Sequence, residues 1–179
     1  MTRATRLFAT YNAHADRLLF DVLDRLEPSV IDEPAGSYFS SILGLLNHVL
    51  LAGLAWLVRF REGGIDAEAL SDPVLTFEHP GWGKPLFDNY PAVREHQLDL
   101  DRVFIRLATE WGAAGCQVPF SYVTSRGEHH TKLAGEVLLH VFNHATHHRG
   151  QISQILDERQ VEHDYSNLVA VIEDVPGGA

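Results

Sequence analysis

Four histidines fall within the stretch Leu133 to Leu156, LAGEVLLHVFNHATHHRGQISQIL, and two of them carry a spacing that can hold a metal ion. At helical pitch each residue turns about 100°, so with His144 at zero the residues Leu133, Val137, Val141, Ala145, Ile152, Ile155 and Leu156 occupy an arc from about −20° to about +120°. That arc is a core-facing stripe. His148 lies inside it at about +40°, whereas His140 and His147 fall at about −40° and −60°, at or beyond its edge. One inward imidazole is ordinarily a hydrogen-bonded core residue, because an unpartnered one is costly to bury. Two at i, i+4 on an inward face aim at a single point, as in helical zinc motifs.

A third imidazole is what such a pair lacks, and His48 supplies a candidate. It sits within ILGLLNHVLLAGLAWLVRF (42–60) on the same face as Leu45, Ala52 and Trp56, and should point into the core. Three neutral imidazoles suit zinc, nickel, copper or ferrous iron better than magnesium or calcium. Three protein ligands leave one position free for water or substrate, and an ion held so lowers the pKa of a coordinated water or thiol. Other chemistries fit less well. Ala145 stands where a zincin glutamate belongs, no Glu-x-x-His suggests a di-iron bundle, and no nucleophile elbow supports a triad.

The elements that must position these residues read as helices. Thr5 to Leu26 forms a first one, closed by Pro28, with His14 at the border of its apolar face, either lining a pocket or meeting solvent. Ser41 caps a second helix running to about Arg61. The long connection Glu62 to Asn89 is punctuated by glycine and proline. It either covers a site, with Phe77, His79, Trp82 and Phe87 as walls, or merely tethers two helices. Pro91 to Gly112 gives a third helix, on which His96 reads as structural. The alternation between Gly115 and Thr131 suggests a short hairpin, and Thr131 offers an N-cap for the fourth helix. A shorter helix near Ser166 to Glu173 and a frayed tail from Pro176 to Ala179 follow. The expected fold is all-α, a four-helix bundle with a long connection between the second and third helices and a short C-terminal helix, in one domain spanning 1–179.

Composition narrows the function further. The chain has 179 residues and a net charge of −10, which argues against nonspecific nucleic-acid binding and against anionic membranes. Cys116 is the one cysteine, so no intrachain disulfide can form, and thiol chemistry needs either Cys116 or a thiol brought by a substrate. The first residues lack a signal-peptide core, and a cytoplasmic location is the expectation. The 42–60 run approaches bilayer length, but Asn47, His48 and Arg59 interrupt it, which favours a buried bundle helix.

The segments YNAHADRLLFDVL, NHVLLAG around His48, and EVLLHVFNHATHHRGQISQIL resemble the DinB/YfiT-like family of metal-binding four-helix bundles. The hallmark of that family is one histidine on helix two and an H-x-x-x-H-R-G-Q motif on helix four, here His144 through Gln151. The resemblance runs from about Leu7 to Val171 and maps the three ligands of the family onto His48, His144 and His148. It implies a crossover connection in the bundle, a divalent transition metal such as zinc or nickel, and often a homodimer. Some relatives transfer low-molecular-weight thiols such as bacillithiol or mycothiol, and the wider superfamily includes a thiol-dependent maleylpyruvate isomerase. A metal-dependent transferase joining a low-molecular-weight thiol to an electrophilic small molecule is therefore the leading expectation. A non-catalytic, stress-associated metal-binding protein and a hydrolase using bound water are the alternatives. Relatives often carry an aromatic residue where this chain has His14, so His14, Asn143 and Gln151 are the residues expected to line the pocket or orient the ligands.

Overall fold

The computed structural model describes residues 2–36 and 38–174, so the expected tail at 176–179 lies outside the described residues. Its elements are α1 (Thr2–Leu23), α2 (Pro28–Asp32), α3 (Ile42–Glu62), α4 (Tyr90–Gly115), β1 (Pro119–Val123), β2 (His129–Leu133) and α5 (Ala134–Glu158). The four long helices are those read from the apolar periodicity, and α2 is one extra turn begun by Pro28 at its first position.

Local chemistry sets most of the helix ends. Ser41 Oγ accepts from the Gly44 amide at 3.1 Å and so caps α3, whose last turn carries Arg59 and Arg61 against the helix dipole. Asn89 caps α4 by accepting from the Ala92 amide at 3.0 Å. Within α4 the periodicity breaks at Gly112, whose φ of +53° a side chain would resist. The expected cap at Thr131 does not form. Thr131 is instead paired with Ser121 across the antiparallel β1/β2 hairpin, their hydroxyls 2.8 Å apart. The chain before β1 does the capping: the Ala134 amide donates to the Val118 carbonyl at 2.9 Å and the Gly135 amide to the Cys116 carbonyl at 3.1 Å. The C-terminal helix is also shorter than expected, a single 3₁₀ turn at Leu168–Val171.

Around the bundle, α1 packs on α4 and α5, and α3 packs on the same two. Consecutive long helices α1 and α3 therefore sit across a diagonal, as do α4 and α5. His48 meets His144 and His148 while Trp56 meets His140, so α3 and α5 run antiparallel. The core fills the space between the helices with residues such as Leu19, Leu50, Leu54, Leu100, Leu107 and Leu138. At Gly53 an added Cβ would come within 2.8 Å of Leu100 Cδ2, so glycine lets α3 and α4 approach closely. Of the described helices, Ile42–Glu62 is long and apolar enough to cross a membrane by length and composition, yet 67% of its apolar window is buried inside the bundle.

Candidate metal centre

His48 on α3 and His144 and His148 on α5 converge. His144 Nε2 lies 3.1 Å from His48 Nε2 and 3.0 Å from His148 Nε2, and one ligand atom from each ring lies within 4.8 Å of the others. The i, i+4 spacing stacks the two α5 rings one turn apart, and α3 brings the third across the seam. His148 is buried, while His48 and His144 are partly open.

The protonation of these rings follows from their surroundings. Burial, together with the charge His148 would carry, pulls the His48 pKa down to about 4. Burial and the neighbouring imidazoles pull His144 down to about 3, and burial lowers His148. All three are neutral near pH 7. His148 Nδ1 donates to Gln151 Oε1 at 2.7 Å, which fixes its proton there and turns an unprotonated Nε2 toward the other rings. At most one of the two short contacts at His144 Nε2 can then be a good hydrogen bond, because a neutral ring nitrogen carries either a proton or a lone pair. A cation resolves that conflict. Bond lengths of about 2.0–2.1 Å to a zinc-like ion put ligand nitrogens roughly 3–4 Å apart, so the spacing and the all-imidazole donor set both fit a divalent transition metal.

The cluster has walls. Phe39 stacks on His48 with ring centroids 4.1 Å apart and meets His148 edge-on at 5.5 Å. A cavity of about 540 Å³ opens beside His48, with Tyr38, Phe39, Asn47, Lys84 and Phe87 among its lining. That volume falls in the range of small-molecule sites. Asn47 ties the 62–89 connection to this place. Its Oδ1 accepts from the Leu86 and Phe87 amides at 2.8 and 2.9 Å, and its Nδ2 donates to the Phe87 carbonyl at 3.0 Å. The connection therefore borders the site as well as joining two helices.

Of the other expected residues, Gln151 is in contact with the cluster, but Asn143 and His14 are not. Asn143 is exposed on α5 and His14 is half-buried on α1, and neither makes a hydrogen bond to the three rings among the described residues. Asn143 sits just before His144, about 100° around the helix, and that rotation turns it to solvent. His140 and His147 are exposed. His96 has its Nδ1 2.9 Å from the Ala92 carbonyl and its ring packed on Phe87. Trp111 is core, Trp56 is half-buried and Trp82 is exposed.

Sequence reading missed Phe39, Asn47 and, above all, Arg149. Arg149 follows His148 and is 1% exposed. Its Nη1 donates to Asp16 Oδ1 at 2.9 Å and to Asn12 Oδ1 at 2.7 Å, and its Nη2 donates to Thr146 Oγ1 at 3.1 Å. Asn12 and Gln97 both donate to Asp101 Oδ1, at 3.3 and 3.0 Å. This buried network joins α1, α4 and α5 immediately behind the turn of α5 that carries His144 and His148. Burial raises both carboxyl pKa values, and the Asp16 charge raises Asp101 further. Asp101 accepts no hydrogen bond from Arg149 and feels the Asp16 charge, so it is pushed up further and holds a proton more firmly than Asp16, which is paired with Arg149.

Residues 1–162 match the family model described as DinB family. The chain is also 25% identical over 151 residues to "Protein DinB" of Bacillus subtilis (strain 168), an alignment covering 82% of this chain and 80% of that protein.

Proposed function

The chain belongs to the DinB family, and from that premise we propose that His48, His144 and His148 hold a divalent transition metal, zinc or nickel, and that the site activates a low-molecular-weight thiol for transfer to an electrophilic small molecule. The observation that carries this reading is the convergence of three neutral imidazole nitrogens beside a cavity of about 540 Å³. Such an ion, when bound, lowers the pKa of a coordinated thiol or water and so supplies a nucleophile at neutral pH.

The chain's own residues do the rest. Gln151 holds the proton of His148 on Nδ1, which keeps Nε2 a donor to the ion. Phe39 covers one face of His48 and keeps bulk water from it. The cavity bordered by Tyr38, Asn47 and Phe87 receives the electrophile next to His48. Cys116 is buried, which leaves the nucleophilic sulfur to the cosubstrate.

Metal content measured on untagged protein tests the site. Wild type should hold about one divalent ion per chain and His144→Ala should lose it; equal metal in both overturns the assignment. A panel of thiols and electrophiles, run with and without added metal, tests the chemistry. Metal-dependent loss of thiol supports transfer, turnover without thiol points to hydrolysis, and metal binding without any turnover points to a non-catalytic protein.

A further inference from the structure

A second cluster lies along the α3/α5 seam toward the hairpin. The His140 ring is 6.1 Å from His144 and 5.9 Å from Trp56, and Trp56 packs edge-on against Tyr122 of β1 at 5.0 Å. Three aromatic rings close around the guanidinium of Arg59, whose Cζ lies 4.7 Å from the Trp56 ring, 5.7 Å from Trp82 and 6.0 Å from Tyr122. These rings come from three separate parts of the chain: α3, the 62–89 connection and β1.

Glu62, one turn further along α3, acts on Arg59 through its charge, but what Arg59 lacks is an anion in contact. Among the described residues no carboxylate lies within 4.0 Å of its guanidinium, and its side chain makes no hydrogen bond, although it is half-buried and burial pulls its pKa down. Cation–π stacking offsets part of that desolvation, but it uses the faces of the guanidinium and leaves its N–H edge free. A free, partly dry edge is what a carboxylate engages with two parallel hydrogen bonds. A single guanidinium between flat rings matches a planar, singly charged group, whereas a phosphate dianion would be left undercompensated.

We propose that Arg59 anchors a carboxylate at the far end of the small molecule whose reactive group meets the histidine cluster, an inference that rests on the proposed function. Arg59 follows His48 by eleven residues on α3, a rise of about 16 Å. Helical side chains lean toward the N-terminus, so the span to bridge is roughly 10–15 Å. The ligand is therefore elongated, with its thiol or electrophilic centre at one end and its carboxylate at the other.

A chain-length series of mercaptoalkanoates against the matching mercaptoalcohols, titrated into zinc-loaded protein and read by tryptophan fluorescence, tests this. Mercaptoundecanoate should bind roughly 10- to 100-fold more tightly than mercaptoundecanol, the worth of a charge-assisted hydrogen-bonded pair. Mercaptopropionate, too short to span the distance, should show no advantage over mercaptopropanol. Arg59→Met, which keeps the aliphatic stem, should abolish the long-chain advantage while its metal content stays at the wild-type level. Trp82→Ala, on an exposed ring, should weaken the advantage without affecting folding. An unchanged advantage in Arg59→Met, or one already present at mercaptopropionate, overturns the anchor. Undecanoate against undecanol separates this from the thiol reading. If their difference still depends on Arg59 while thiols bind no better than thiol-free chains, the anchor stands and the thiol reading falls.

Discussion

Replacing Arg149 with methionine tests whether the buried network behind the site is what holds α5 in place. The substitution keeps an unbranched apolar stem but removes the donors to Asp16 at 2.9 Å and Asn12 at 2.7 Å. Asp16, 3% exposed, would then be an uncompensated carboxylate facing a second buried carboxyl, Asp101. Breaking a buried pair on one side costs about 3–5 kcal/mol, whereas removing both partners is far cheaper. In a chain of this length each kilocalorie moves the melting point by about 2–4 °C, so Arg149→Met should melt roughly 6–20 °C below wild type. Urea unfolding in the presence of chelator, followed by far-ultraviolet circular dichroism, keeps metal binding out of the measurement. Asp16→Asn combined with Arg149→Met should cost less than the sum of the two single changes by at least about 1 kcal/mol. A single-mutant cost below about 1 kcal/mol, or strict additivity, would refute the claim that this pair is buried and coupled.

Other expectations follow from the same geometry. Because burial and the Asp16 charge raise the Asp101 pKa, the unfolded chain releases that proton first, so the Asp101 contribution to stability falls as pH rises above about 3.8, opposite in sign to that of the histidines; Asp101→Asn should therefore steepen the gain of stability with rising pH in pH-dependent unfolding, and an unchanged slope would contradict it. His48, His144 and His148 have lowered pKa values, so the unfolded chain takes up protons first. Metal-free protein should therefore lose stability as pH falls below about 6.5, with the loss continuing to about 3, and a pH-independent melting point over that window would contradict it. Gln151→Leu should weaken metal affinity by about 10- to 100-fold with little change in fold, measured by competition with a chromogenic chelator; unchanged affinity would mean the His148 ring is fixed by something else.

The apolar period of α1, α3, α4 and α5 is strong enough that the four helices can be read from the residues, and the same arithmetic picks His144 and His148 because they fall inside the stripe of α5. His48 needed a further argument, that the pair on α5 wants a third partner, since a lone histidine on an apolar helix says little by itself. Arg149 shows where such reading stops. At about 140° from His144 it lies just past the apolar arc, where a charged residue is ordinarily solvated. Only the packing of α1 against that edge, with Asn12 and Asp16 facing the guanidinium, turns the position into an interior one. The start of α5 was missed for a related reason: Thr131 has the right chemistry for a cap, but pairing with Ser121 in the hairpin claims it first. Phe39 could not be placed either, because a loop residue carries no periodicity to fix its direction.

The diagonal arrangement of consecutive helices has a kinetic side. His48 and His144 are 96 positions apart in the chain, so their meeting requires closing a long loop, a step whose entropic cost grows with loop length and which slows folding. An ion held by both ends would act as a removable cross-link on that loop, stabilising the folded chain in proportion to the logarithm of its free concentration over the dissociation constant. During refolding, acquisition of metal would then mark the moment at which the two halves of the chain have come together.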